Sequence, residues 1–421
     1  FWEAYLELSP ITATQNGDTR YDDRLPDPGP EGRRRLAALA DETAAAALAV
    51  PEADLGTEDR ITRDMLLLAT RRFHDQHESG WYTLAPVDPA NGPQTMLPQL
   101  CLFQPADTPE RLERFLARLD AYPAYIDACI ADLQEGLSLG LTAARVVADR
   151  VIAQLEGLLA TPAERDAITT AARVASGEYL AATRDVPGLV SAPGGLDLYR
   201  MRIRHMTTLD MDPAELHARG RREMDEIQAE WQTIAARNGF QDPAAYRRHI
   251  EADPANIPAS AEDVVALARR QIAAGLAAAP AYFGVLPQAG CDVRAVEPYK
   301  EKDAPFAYYF APAVDGSRGG LYYVNTYDLA TRTLPKIAAV TAHEAIPGHH
   351  FQIALEVENT ALNTFRRLGP RLIGAAYVEG WGLYTERLAD EMGLYGSDAE
   401  RFYMLDFQAW RAARQAWKSS M

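Results

Sequence analysis

With 421 residues, of which 48% are hydrophobic and 24% charged, the chain can bury a sizeable core and has the balance of an ordinary globular protein, as one large domain or two lobes. A formal net charge of −17 excludes partners held by clustered cations, so nucleic acid and anionic lipid surfaces are not expected. The longest uncharged stretch, Gln271 to Cys291, is alanine-rich and interrupted by Pro280, Pro287, Gly275, Gly284 and Gly290, so no membrane span is expected.

The sequence opens at Phe1-Trp2-Glu3-Ala4, without the basic and apolar blocks of a signal peptide, and its acidic character suits either cytoplasm or export. Cys101, Cys129 and Cys291 are odd in number and far apart, which predicts buried thiols rather than a disulfide framework or a thiolate zinc site. Apolar residues recur at three- and four-residue spacing, as in Arg111 to Leu133 and Leu216 to Ala236, which predicts a mainly helical protein. Helix starts are marked by Thr108-Pro109-Glu110, Thr161-Pro162-Ala163-Glu164, Asp212-Pro213-Ala214-Glu215 and Ser260-Ala261-Glu262, each with a capping oxygen or an N1 proline ahead of acidic residues. A run of turn formers from Asp185 to Gly195 predicts a boundary between an N-terminal helical lobe, 1–190, and a second lobe, 191–421.

Helical patterning lapses between about Val293 and Asp328. There Ala304 to Ala313 and Gly320 to Tyr327 are aromatic and β-branched and bounded by Gly, Pro and Asp, which predicts a small sheet with its turn at Asp315 to Gly320. The second strand leads within about ten residues to a helix beginning near Leu334 or Pro335, and that helix carries the chemistry.

Only eight histidines occur in the chain, and three of them, His343, His349 and His350, fall in the segment His343-Glu344-Ala345-Ile346-Pro347-Gly348-His349-His350. In the common His-Glu-x-x-His zinc motif the histidines at i and i+4 share one helical face and the adjacent glutamate acts on the attacking water. Here the second histidine comes later. An unbroken helix would put His349 about 240° around and about 9 Å along from His343, too far to share an ion. Pro347 has no N–H for the carbonyl of His343 and clashes with it, and Gly348 can adopt unusual dihedrals, so two residues can loop out. This predicts His349 at the position that i+4 would occupy, with His350 facing the substrate or supporting a ligand; His350 as the ligand is the alternative reading.

A catalytic zinc takes three protein ligands and leaves a position open, so a third ligand is needed. The segment Pro370 to Gly393 reads as one helix with Glu379 and Glu386 on one face, seven residues apart, and with Leu383 and Tyr384 suggesting burial; Tyr384 is also expected to support a ligand or contact the substrate. Glu379 is the predicted third ligand, with Gly380 permitting close approach of the metal helix. Glu386 is predicted to orient a histidine or to pair with a nearby arginine such as Arg387.

In His343-Glu344-x-x-Pro347-Gly348-His349-His350-x-Gln352 and Glu379-Gly380-Trp381-x-x-Tyr384-x-Glu386 the sequence resembles the bacterial family known as domain of unknown function 885. Weaker likeness covers Thr12-Ala13-Thr14 with Gly17, Tyr199 to Thr208, and Gly320 to Asn325. Members of that family look like gluzincin-type zinc metallopeptidases. The resemblance implies a helical body with a deep cleft, in the broad plan of the neurolysin and angiotensin-converting-enzyme group, and hydrolysis of peptide bonds. Family members continue with more helix beyond Trp410-Arg411-Ala412-Ala413-Arg414, whereas this sequence stops at Met421.

The expected reaction uses zinc-activated water with Glu344 as general base. The strand Leu321 to Asn325 is expected to align an extended peptide, with Asn325, Arg318, Tyr308, Tyr309 or Tyr323 in contact with it. Two rival readings keep the same motif: a metal-dependent amide or ester hydrolase with a non-peptide substrate, and a helical binding protein with a vestigial metal site.

Overall fold

Capping oxygens start the helices where the sequence marks them: Thr108 accepts from the Arg111 N–H, Asp212 from Ala214 and Ser260 from Asp263. These contacts are seen in a computed structural model that describes residues 1–89, 91–159, 189, 192–297, 301–302, 304–316 and 318–419. The start at Thr161 and most of the run from Asp185 to Gly195 lie outside the described residues. The chain divides into two units at Asp210–Met211.

In the first unit, the described residues form α1 (Trp2–Leu8), α2 (Pro10–Gln15), α3 (Pro30–Ala49), α4 (Thr57–Glu78), α5 (Pro93–Phe103), α6 (Pro109–Asp120), α7 (Tyr122–Leu139), α8 (Arg145–Leu159) and α9 (Gly195–Thr207). Arg118 of α6 is fully buried and donates to the carbonyls of Tyr21 and Arg24 and to the side chains of Thr14 and Gln104. The N-terminal segment is thereby tied to α6. Burial holds the Arg118 guanidinium down at about 10. Of the three thiols, Cys129 is buried, but Cys101 is exposed and Cys291 only half-buried, against the expectation of three buried thiols.

The second unit runs α10 (Pro213–Arg237), α11 (Pro243–Ala252), α12 (Ala261–Ala278), β1 (Cys291–Ala295), β2 (Ala307–Phe310), β3 (Gly320–Val324), α13 (Leu334–Glu344), α14 (His349–Glu358), α15 (Thr364–Leu368), α16 (Pro370–Ile373), α17 (Ala376–Glu391) and α18 (Asp398–Ser419). The sheet order is β1-β3-β2, with β1 parallel and β2 antiparallel to β3. The two strands expected from the sequence are β2 and β3; β1, which begins two residues ahead of the expected sheet region and overlaps its start, was not expected. The single helix expected over Pro370 to Gly393 is two helices, because Gly374 at φ 144° breaks the chain between α16 and α17.

Two apolar clusters meet across α13. One joins the sheet to α12 and α14 through Val264, Ile272, Val293, Tyr322, Val324 and Phe351, and Ile337 of α13 belongs to it. The other joins α10, α11 and α18 through Ile227, Trp231, Ile250, Phe402 and Leu405, and takes Ala339 and Ala342 of α13. Every residue from Ile337 to Glu344 is consequently buried. A helix enclosed on all sides cannot shift its side chains cheaply, so its terminal histidine is presented from a fixed base.

Candidate metal centre

The helix carrying His343 ends one residue after it in sequence. Ala345 leaves helical space at φ −117°, ψ −99°, the Ile346–Pro347 peptide is cis, and α14 restarts at His349. The loop is closed by main-chain hydrogen bonds, Ala345 N–H to Thr341 O at 2.9 Å and Phe351 N–H to Ala345 O at 3.2 Å. Gly348 passes hard against the end of α13: a Cβ there would lie 1.9 Å from the carbonyl oxygen of His343. Pro347, with no N–H to satisfy, and Gly348, with no side chain, are therefore what this turn requires. The result is that the His343 and His349 rings stand 4.5 Å apart between centroids, nearly perpendicular.

The third group comes from α17. Glu379 places one carboxylate oxygen 3.6 Å from Nε2 of His343 and the other 3.8 Å from Nε2 of His349. One donor atom from each of His343, His349 and Glu379 lies within 4.8 Å of the others. Two donors bound to one zinc at about 2.1 Å with tetrahedral angles are separated by about 3.4 Å. The two Glu379–histidine spacings are a few tenths of an ångström wider, and the third is within 4.8 Å, so these side chains fit a zinc ion after adjustment.

A different glycine from the one expected admits α17 to this place. At Gly380 a Cβ would meet nothing within 4 Å, whereas at Gly382 it would lie 2.6 Å from Cε1 of His343 and 2.9 Å from Cε1 of His349. Trp381 between them donates its indole N–H to the carbonyls of Pro347 and Gly348 at 3.0 and 3.2 Å, locking α17 to the loop. Gly380→Ala should be neutral or stabilising by roughly 0.5–1 kcal/mol through helix propensity. Gly382→Ala should displace the imidazoles and weaken zinc retention at least about tenfold, the usual size of losses around metal ligands. Thermal unfolding and zinc titration of the two variants check this; equal zinc retention by both would refute the assignment.

The electrostatics separate the two histidines. For His343, burial opposes the charged form, but hydrogen bonds with Glu379 and Glu386 and the field of Glu344 outweigh it, raising the group to about 9. For His349, burial and the neighbouring His343 lower it to about 3. Its Nδ1 is buried with no hydrogen-bond partner among the described residues. Glu379 is lowered to about 2, first by its hydrogen bond with His343. The Glu379 side chain is 60% exposed, so it is not the buried carboxylate expected from its helix. That description belongs to Glu386, 1% exposed and 2.9 Å from Nδ1 of His343. Glu344 is buried with no ion pair among the described residues, and desolvation raises it to about 7, against His343 and with Glu379.

Arg411 of α18 was missed as a site residue. Its Nη1 donates to Glu386 Oε1 at 2.7 Å and its Nη2 lies 3.2 Å from Nδ1 of His343. A lone arginine in a helix carries no sequence signal of its partner 25 residues away. Glu386 does not pair with Arg387, which forms a two-pronged bond with Glu230 at 2.6 and 2.8 Å.

Several expected contacts fall elsewhere. Both ring nitrogens of His350 are taken, Nδ1 by the Tyr309 hydroxyl and Nε2 by the Ala289 carbonyl, each at 2.9 Å, so His350 is a structural pin and neither a metal ligand nor substrate-facing. Asn325 is fully buried, donates to the carbonyls of Glu301, Ala304 and Pro305, and accepts from the Tyr327 N–H; it holds a loop rather than a substrate. Arg318 donates to Gly319 O and Ala311 O across the turn before β3. Tyr384 is 54% exposed and, with Gly380, Leu383 and Arg387, lines a cavity of about 570 Å³ beside α10 rather than the histidine pair. The strand Leu321 to Val324 cannot align a peptide by main-chain bonds, because β3 is central and both its edges are already paired. Tyr308 and Tyr323 stack on each other at 5.0 Å.

A family profile described as a bacterial protein of unknown function, DUF885, matches residues 10–417. Among solved structures, a candidate lipoprotein from Colwellia psychrerythraea superposes with a TM-score of 0.88 at 20% identity, covering 98% of this chain and 80% of that one. A candidate lipoprotein of unknown function from Shewanella oneidensis gives 0.66 at 19% identity, covering 99% of this chain and 81% of that one. Both likenesses are of fold. No curated protein matches the chain.

Proposed function

This chain belongs to the bacterial family domain of unknown function 885, and for it we propose a zinc-dependent hydrolase of peptide bonds, with His343, His349 and Glu379 as the metal ligands. The observation that carries the reading is the convergence of two buried imidazoles and a carboxylate from three separate elements on one small volume. The donor set, two imidazole nitrogens and one carboxylate, is that of catalytic zinc sites which keep a further position open for water or substrate. Both imidazoles turn Nε2 toward the carboxylate of Glu379, at 3.6 Å for His343 and 3.8 Å for His349.

When bound, zinc would supply Lewis acidity to a scissile carbonyl and to water. The chain's own residues do the rest. Glu344, next in sequence to His343, has its carboxyl pushed up to about 7 by burial, the range in which a carboxylate can both accept a proton from water and return it to a departing amine near neutral pH. Glu386 accepts from Nδ1–H of His343, which leaves Nε2 as the coordinating nitrogen. With β3 closed on both sides, strand addition of an extended peptide falls to an outer strand, and β2 turns the main chain of Ala307 and Tyr309 away from β3.

Zinc content after loading and dialysis, paired with digestion of a peptide library by the loaded protein, tests this. The parent should retain about one zinc per chain, and His349→Ala and Glu379→Ala should each lose at least about 100-fold in affinity, the upper end of losses seen even around ligands. A parent that retains no zinc removes the metal centre. A loaded parent that cleaves simple esters or amides but no peptide moves the function to the non-peptide hydrolase reading.

A further inference from the structure

We propose that Arg411 is a positioning residue of this centre: it clamps Glu386 against Nδ1 of His343 and so fixes the imidazole with Nε2 turned toward His349 and Glu379. The inference rests on the zinc reading above. Glu386 is 1% exposed, and its Oε1 is the shared acceptor of the His343 ring N–H at 2.9 Å and the Arg411 guanidinium at 2.7 Å. Its Oε2 has no hydrogen-bond partner among the described residues. Oε1 alone therefore fixes how the carboxylate meets the ring.

A buried carboxylate needs a compensating charge. A histidine that gives Nε2 to a metal is neutral and supplies none, so the charge must come from elsewhere. Among the described residues Arg411 is the one lysine or arginine within 4.0 Å of Glu386. A dication together with Arg411 balances the three carboxylates of the neighbourhood, Glu344, Glu379 and Glu386. The guanidinium is also geometrically suited: as a pure donor it can share Oε1 with the ring N–H but cannot replace Glu386 as acceptor from it. The Tyr395 hydroxyl, bonded to the Glu386 carbonyl at 3.0 Å, steadies the same turn of α17 from behind.

The test is zinc affinity, measured by chelator competition on the full chain, for the parent, R411Q, R411K, E386Q and the double variant E386Q/R411Q. If Arg411 acts through Glu386, R411Q and E386Q should each weaken zinc about 10–100-fold, and the double variant should bind no more weakly than E386Q alone. R411K, which keeps the charge without the planar fork, should fall between parent and R411Q and serves in place of R411Q should that variant fail to fold. A merely structural arginine would lower the melting temperature of the metal-free protein and leave the zinc affinity of the folded fraction unchanged. Unchanged affinity in R411Q, or in R411K where only that variant folds, or losses that multiply in the double variant, would overturn the proposal while leaving the zinc centre standing. A parent that binds no zinc overturns both.

Discussion

Glu344→Gln should leave the zinc content of the saturated protein unchanged and lower peptide cleavage by about 10²–10⁴-fold, the usual contribution of a general base. The two side chains are nearly the same size, so the enclosed end of α13 need not repack, but an amide cannot take a proton from water. The position is suited to the role because Glu344 is buried, and desolvation outweighs the opposing fields of His343 and Arg411 to raise its proton affinity. The measurement is steady-state cleavage beside metal analysis of the same samples. Turnover equal to the parent's would show that another group, or none, acts as the base.

Gly348→Ala should destabilise the second unit by about 3 kcal/mol or more and abolish zinc retention, although the substitution adds one methyl group. The added Cβ would lie 1.9 Å from the His343 carbonyl oxygen and 2.4 Å from that of Ala342. Both obstacles are main chain at the end of a helix buried on every side, so no rotamer change relieves them. To make room, the loop must swing away from α13, and His349 swings with it. Denaturant unfolding of the variant, with Gly380→Ala as a matched control, checks this. An unchanged midpoint would mean that the loop has another conformation in solution.

Much of the local geometry around the histidines was legible in the sequence. Helical phase alone dictated that His343 and His349 cannot share an ion on an unbroken helix, and Pro347-Gly348 announced where the break had to come, because the lack of an N–H and of a Cβ are properties of the residues themselves. The caps at Thr108, Asp212 and Ser260 were legible for the same reason: a side-chain oxygen satisfies an N–H two or three residues away. The pairing of Glu379 with Glu386 on one helical face followed from their spacing of seven. The family resemblance read from those motifs agrees with the profile match over residues 10–417.

What tertiary structure alone decided has one cause: it depends on which surfaces meet, and separation along the chain carries no record of that. His350 stood as the alternative ligand to His349, and only the fold shows that Tyr309 and Ala289 occupy both its nitrogens. Gly380 and Gly382 are two residues apart on one helix, and only the packing of α17 on the histidines shows which of them must lack a side chain. The strand expected over Leu321 to Asn325 read as a docking edge because its second neighbour, β1, is joined to it by parallel pairing across a long connection. Arg411 reaches Glu386 from another helix. Local rules place residues on an element's faces; long-range packing chooses what each face touches, and in this protein that choice assigns the partners of Glu379, Glu386 and Arg411 around the histidine pair.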